Sequence, residues 1–169
     1  MITVRNARPG EFDAVGALTA EAYLAEGQMR SDDPYLAVLA AADVRAADAE
    51  LIVAVDQDGA VRRTVTFCPQ GSPFREVAEP HQAEFRTLAV APAARRQGVA
   101  ELLVRACIQR AAKHGATAVV LSTSDWMLTA HRLYERLGFV RRPDLDWHPR
   151  PDVNLLGYGR ELPDASSRH

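Results

Sequence analysis

The residues best placed to do chemistry lie in the run Arg95-Arg96-Gln97-Gly98-Val99-Ala100. The apolar stretch before it, Phe85-Arg86-Thr87-Leu88-Ala89-Val90, stops at Ala91-Pro92 because proline has no N–H to give to a ladder. A helix is expected to begin near Gly98 and run to Lys113-His114-Gly115. The first N–H groups of a helix have no partners within it, and the helix dipole is positive at that end. Glycine lets a ligand come close to the backbone, and Arg95 and Arg96 add positive charge. The pattern suits a pyrophosphate. Paired arginines on a loop also occur as plain solvated surface, and it is the helix that follows which favours the anion site. The run lacks the Gly-Lys-Ser/Thr ending of nucleotide triphosphatases.

Other chemistries find little support. There is no Gly-x-Ser-x-Gly nucleophile elbow. The five histidines fall in no metal-ligand spacing and none pairs with a cysteine at zinc-site distance, so no metal is expected. Cys68 and Cys107 sit in apolar segments and read as buried thiols in a reducing compartment rather than as a disulfide, which gives a cytoplasmic expectation. The sole lysine, Lys113, stands at a helix end beside His114-Gly115, a poor place for a Schiff base. A formal charge of −2 argues against a general nucleic-acid binder. No window is apolar for long enough to span a bilayer, and Met1-Ile2-Thr3-Val4-Arg5 reads as a strand rather than a signal peptide.

At 169 residues the chain is expected to be one domain, residues 1–162, with a disordered polar tail at 163–169. Ile2 to Asn6 is a short strand. Pro9-Gly10-Glu11 opens a helix on which Phe12, Val15, Leu18, Thr19, Ala22 and Tyr23 recur at helical spacing, closed by Glu26-Gly27-Gln28. Ser31-Asp32-Asp33-Pro34 starts a second helix with an acidic cap. Leu51-Ile52-Val53-Ala54-Val55 is a buried strand, Asp56-Gln57-Asp58-Gly59 a hairpin turn, and residues 60–67 the partner strand. A loop at 69–80 leads to a fourth strand at 83–90. After the basic loop and its helix come a fifth strand at 118–123 and a helix at 127–137 stopped by Gly138. Late strands follow at 139–142 and 154–158. The order βααβββαβαββ predicts an α/β or α+β fold, a mixed sheet with helices on both faces.

The segment Leu88-Ala89-Val90-Ala91-Pro92 with Arg95-Arg96-Gln97-Gly98-Val99-Ala100 resembles the acetyl-CoA signature of the GNAT superfamily, the Gcn5-related N-acetyltransferases. That signature is Gln or Arg, two residues, Gly, one residue, Gly or Ala, and Arg95, Gly98 and Ala100 fill its fixed places. Ala130-His131-Arg132-Leu133-Tyr134-Glu135-Arg136-Leu137-Gly138-Phe139 resembles the family's late helix and the strand after it. The resemblance implies a mostly antiparallel sheet of six to seven strands, splayed between the fourth and fifth. It implies an acyltransferase moving an acetyl group from acetyl-CoA to an amine by direct attack, with no metal. The backbone of Leu88, Ala89 and Val90 would pair with the pantetheine arm, and the N–H groups from Arg96 to Glu101, through Gln97, Gly98, Val99 and Ala100, would hold the pyrophosphate beside Arg95. An N–H near Leu88 would polarise the thioester carbonyl.

The same resemblance makes Tyr134 the acid that protonates the departing thiolate; a phenol titrates near about 10, and the residue otherwise reads as a core tyrosine. Glu84 matches the place of a general base and otherwise reads as an exposed strand-end glutamate, with Glu76, Glu79 and His81 as rivals. Arg86 and Thr87 read as alternating outward. Two departures stand out. Met127 occupies the place of an asparagine that bonds pantetheine, leaving Ser122, Thr123 or Ser124 as substitutes, and Arg62-Arg63-Thr64 stands where a glycine is usual, as an exposed edge or a reach toward an anionic acceptor. The acceptor is open between a small-molecule amine and a peptide amine. Glu26, Asp32, Asp33, Tyr35, Glu76, Glu79, Trp126, Trp147 and His148 would line its cleft and suit a cation. A non-catalytic acyl-CoA sensor and a transferase using a longer acyl-CoA are the alternatives. Neither a nucleic-acid nor a membrane partner is expected, and by analogy Asn154 to Tyr158 could pair across a homodimer.

Overall fold

The computed structural model describes residues 1–25, 27, 29–91, 94 and 98–163. The chain forms two compact units interleaved in sequence. One takes Met1–Phe67 and Thr87–Ala106, and the other takes Cys68–Arg86 and the chain from Cys107 onward.

In the first unit β1 (Thr3–Asn6) leads through a short 3-10 turn (Pro9–Glu11) into α1 (Phe12–Ala25). There follow α2 (Tyr35–Ala40), α3 (Ala42–Asp48), β2 (Glu50–Val55), β3 (Val61–Cys68), the later part of β4 (Gln82–Val90) and the first half of α4 (Val99–Lys113). The strands β1, β2 and β3 pair antiparallel in that order. Leu51, Val53 and Val55 share one face of β2 by the two-residue period of a strand, and they pack with Val15 and Ala42 as a core. Ile52 and Ala54 on the other face are also fully buried, so β2 is covered on both sides, as its unbroken apolar run requires. The acidic cap expected before the second helix is Asp33, whose Oδ1 accepts the Tyr35 N–H at 2.8 Å. That helix is two, because the backbone turns at Ala41 (φ −82°, ψ 61°) between α2 and α3. The hairpin turn at 56–59 closes with the Gly59 N–H on the Asp56 carbonyl at 3.0 Å.

The second unit holds the first part of β4, β5 (Ala118–Ser124), α5 (Leu128–Arg136), β6 (Val140–Arg141), β7 (Trp147–Arg150) and β8 (Val153–Glu161). β4 and β5 are parallel over three rungs, Gln82↔Ala118, Ala83↔Val119 and Glu84↔Val120, although β4 runs on to Val90 and β5 to Ser124. β5 pairs antiparallel with β8 along its whole length. β6 and β7 pair with the other edge of β8, so the strand expected to offer an edge to a second copy is paired on both sides within the chain. The fold is therefore mixed and mostly antiparallel. Among the described residues it has eight strands, against the six to seven expected. The extra one, β7, reads Trp-His-Pro-Arg; it is short, mostly exposed and interrupted by a register shift around Pro149, so it carries no alternation to find. Gly138 does close α5. Its φ of +90° suits only glycine, and the Gly138 and Phe139 N–H groups return to the Glu135 and Tyr134 carbonyls.

Candidate functional site

In the first unit the notable feature is Thr87, on β4, whose φ is +53°. For a β-branched residue this left-handed backbone is a true outlier, costing on the order of 1–3 kcal/mol, and it persists only where the surroundings hold it. Here the Thr87 and Thr66 hydroxyls meet at 2.6 Å, which ties the strained residue to β3. A left-handed residue inside a strand acts as a bulge and re-aims the peptide groups after it, beginning with Leu88. Sequence reasoning missed this, and no signal was available: a threonine is among the last residues expected at positive φ. Leu88 and Val90 are half-buried and Ala89 is buried.

Past Val90, the Ala91 N–H donates to the Arg62 carbonyl and the Ala94 N–H to the Ala91 carbonyl, both at 2.8 Å. Arg63 Nη2 donates to the Ala94 carbonyl at 3.0 Å. Pro92, Arg95, Arg96 and Gln97, like Glu26 of the acceptor set, lie outside the described residues. Gly98 does take the left-handed backbone (φ +70°), and a Cβ built there would meet no described atom within 4 Å. Val99 and Ala100 open α4, and the Glu101 carboxylate accepts from Arg105 at 3.1 Å, one turn along. An open left-handed glycine ahead of a 15-residue helix fits close approach of an anion to backbone N–H groups.

In the second unit Glu84 is not an exposed strand-end residue. It is the third residue of β4 and wholly buried. Its Oε1 accepts the N–H groups of Glu76, Val77 and Ala78 at 3.0, 2.9 and 3.0 Å, and its Oε2 has no hydrogen-bond partner among the described residues. Burial raises its pKa above the ordinary carboxylate value, against the pull of those N–H groups and of Arg86. Arg86 does not simply point outward. It pairs with Glu76 at 2.6 Å and donates to the Phe74 carbonyl at 3.1 Å. Arg75 donates to the carbonyls of Glu79 and Gln82, so one anion and two cations hold the loop before β4.

Tyr134 lies on the inner face of α5, 5 % exposed, among Phe85, Phe139 and Tyr158 with ring centroids 5.8–6.1 Å away. Its position combines the core tyrosine and the candidate acid: the ring is packed whatever the hydroxyl does. His131, one turn earlier, bonds the Ser124 carbonyl at 2.9 Å; a carbonyl only accepts, so Nε2 carries the proton. Of the three hydroxyls that could replace the missing asparagine, Ser122 accepts from Trp147 Nε1 at 3.2 Å and Thr123 lies 4.0 Å from Met127 Sδ. Neither cysteine is in a disulfide, and both are buried. Burial pushes the Cys68 thiol up to about 12, which leaves it protonated and inert at neutral pH. Among the acceptor candidates, Asp32 is held by Arg30, Asp33 by the Tyr35 N–H and Glu76 by Arg86, while His148 is exposed. Among the described residues no group of three His, Cys, Asp or Glu could hold a metal ion, and no helix is long and apolar enough to cross a membrane.

The profile of the Acetyltransferase (GNAT) family matches residues 14–139. An uncharacterized N-acetyltransferase of Schizosaccharomyces pombe is 33% identical over 103 residues, which cover 61% of this chain and 59% of that protein. A GCN5-related N-acetyltransferase from Kribbella flavida superposes with a TM-score of 0.70 at 26% identity, covering 95% of this chain and 98% of its own. The Salmonella typhimurium protein yncA, solved with its cofactor acetyl-CoA, superposes with a TM-score of 0.67 at 20% identity, covering 98% and 99%. The last of these bears on fold alone.

Proposed function

The chain belongs to the acetyltransferase (GNAT) family, and on that footing we propose that it moves an acetyl group from acetyl-CoA to a primary amine by direct attack in a ternary complex. The observation that carries the reading is the left-handed backbone of Thr87 within β4, held by Thr66 immediately before Leu88. A re-aimed N–H at this point is what a thioester carbonyl needs. Such a donor is worth about 3–4 kcal/mol to the oxyanion in comparable acyl transfers. Leu88, Ala89 and Val90 offer the pantetheine arm a strand to pair with, beyond the last β4–β5 rung at Glu84. Gly98, Val99, Ala100 and Glu101 offer backbone N–H groups to the pyrophosphate, with Arg95, Arg96 and Gln97 completing that set.

In the reaction the amine nitrogen attacks the thioester carbon, a C–N bond forms, and the carbonyl electrons move to oxygen. Their return breaks the C–S bond. The leaving thiolate takes the Tyr134 proton, and the nitrogen gives up its own proton to Glu84, directly or through water. A carboxylate whose pKa is raised by burial is a better base than an ordinary one, which supports Glu84 in that role.

The test is a screen for CoA thiol release against a library of amines, run with acetyl-CoA and with longer acyl-CoAs. Turnover with acetyl-CoA and at least one primary amine is expected, and Tyr134→Phe should lower kcat by about a hundredfold. Full activity in Tyr134→Phe would remove the proposed acid. Saturable CoA binding without turnover on any amine would favour the sensing module. A melting curve that no CoA species shifts would overturn the donor assignment.

A further inference from the structure

Glu84 and Arg86 stand two residues apart on β4, so both side chains leave the same face of the strand. Together they hold one short stretch of the loop before it. Glu84 Oε1 accepts the N–H groups of Glu76, Val77 and Ala78 at 3.0, 2.9 and 3.0 Å. Arg86 meets the Glu76 carboxylate at 2.6 Å and donates to the Phe74 carbonyl at 3.1 Å. Glu76 is thus fixed twice, by its N–H on the acid and by its side chain on the arginine. The two charged side chains are only 20% and 31% exposed. A charge-assisted bond withdrawn from water in this way is strong and little screened by salt.

We propose that Arg86 is a positioning residue for Glu84, an inference that rests on the reading of Glu84 as the base: by holding Glu76 it keeps the N–H groups of residues 76–78 on the carboxylate, and so keeps that carboxylate ionised. A base must begin each turnover without its proton, and burial works against that. Burial raises the Glu84 pKa, while the three N–H groups and the charge of Arg86 draw it back. Arg86 therefore acts twice, by its own charge and through the loop. The loop also gives the two carboxylate oxygens different work. Oε1 is filled by three donors, and Oε2, with no hydrogen-bond partner among the described residues, is left to receive the proton. Around Glu84 the loop brings the Glu76 carboxylate and β4 itself brings Arg86. The end of β3 brings the Cys68 thiol, which burial keeps protonated, and β5 brings the uncharged Val120. The charge of Glu76 by itself disfavours a second anion nearby. Whatever Glu76 adds to the ionisation of Glu84 must come through its backbone, which gives the proposal a sign that charge alone would reverse.

The experiment titrates Glu84 directly, by NMR of its carboxyl carbon in the full isotope-labelled chain, with the signal assigned by its loss in Glu84→Gln. Wild type is compared with Arg86→Met, Arg86→Lys and Glu76→Ala. Arg86→Met is expected to move the midpoint upward by about one pH unit or more, and Arg86→Lys, which keeps the charge but loses the planar fork, by less. Glu76→Ala removes a neighbouring anion, which alone would move the midpoint down; it also releases the loop, and an upward move is expected. A midpoint unmoved in Arg86→Met, or unmoved or lowered in Glu76→Ala, overturns the proposal. Faster hydrogen exchange at residues 76–78 with an unmoved midpoint would mark a purely structural tie and overturn it too. If Arg86→Met does not fold, Arg86→Lys and Glu76→Ala decide by the same signs. The acid limb of kcat/KM for CoA release, with a primary amine that turns over in the screen above, should follow the same order. Failure of the base reading shows itself separately: a Glu84→Gln that keeps the wild-type rate and acid limb removes Glu84 as the base, and this inference with it.

Discussion

Arg63 on β3 and Glu84 on β4 are both almost wholly withdrawn from water, and each holds the backbone of a loop, but with opposite polarity. Arg63 pins the carbonyl of Ala94. Glu84 gathers three consecutive N–H groups on one oxygen. Successive N–H groups converge on an anion in a way that successive carbonyls do not converge on a cation, so the acid organises a longer stretch. Burial shifts both groups toward neutrality, Arg63 downward and Glu84 upward. Arginine stays charged under all ordinary conditions even so, while burial shifts the Glu84 carboxyl upward from the ordinary carboxylate value.

The largest effect expected from breaking this contrast is in Glu84→Ala. It leaves three N–H groups without their acceptor, which should cost on the order of 3 kcal/mol in urea unfolding and speed hydrogen exchange at residues 76–78. Arg63→Met, which fills the space with an apolar side chain, should be close to neutral in the same melts. Equal losses in the two variants would end the distinction between the acid that gathers three N–H groups and the buried cation that holds one carbonyl.

A smaller effect is expected from pH. Folding raises the Glu84 pKa, so the native state holds that proton more tightly than the unfolded chain. Its contribution to stability is complete below the unfolded value of 4.5 and is lost as pH rises through the folded value. Glu11 runs the other way. Arg5, bonded through both nitrogens at 2.8 and 2.9 Å, holds its carboxyl down at about 2, and its contribution is present above 4.5 and lost as pH falls toward 2. Urea melts from acid to neutral pH should show Glu84→Gln flattening the upper window and Glu11→Gln the lower. A Glu84→Gln profile parallel to wild type above 4.5 would show that the carboxyl does not titrate with folding.

The smallest effect is reserved for Arg62→Ala. Its partners are on an exposed turn, where ion pairs contribute little, and the melting temperature should move by less than about 2 °C. CoA affinity should be unchanged.

The sequence by itself determined most of the element order, because strand and helix periods, the acidic residue at Asp33, the turn at 56–59 and the stop at Gly138 are all local signals, but not the division of the second helix at Ala41. Gly98 ahead of α4 was legible too, since a glycine at the start of a helix is a local signal. The strand β7 was not legible, because a short exposed segment containing Pro149 has no pattern to read. Tertiary structure alone decided three matters. Thr87 takes a backbone that its own side chain disfavours, and only its bond to Thr66, from another strand, makes that tenable. Glu84 is buried, which its residue type argues against, because three N–H groups from a loop outside its own strand donate to its carboxylate. Of two adjacent arginines, one faces water and one the interior. Sequence gives the alternation, but which face is the inside depends on what packs against it, and that belongs to the fold.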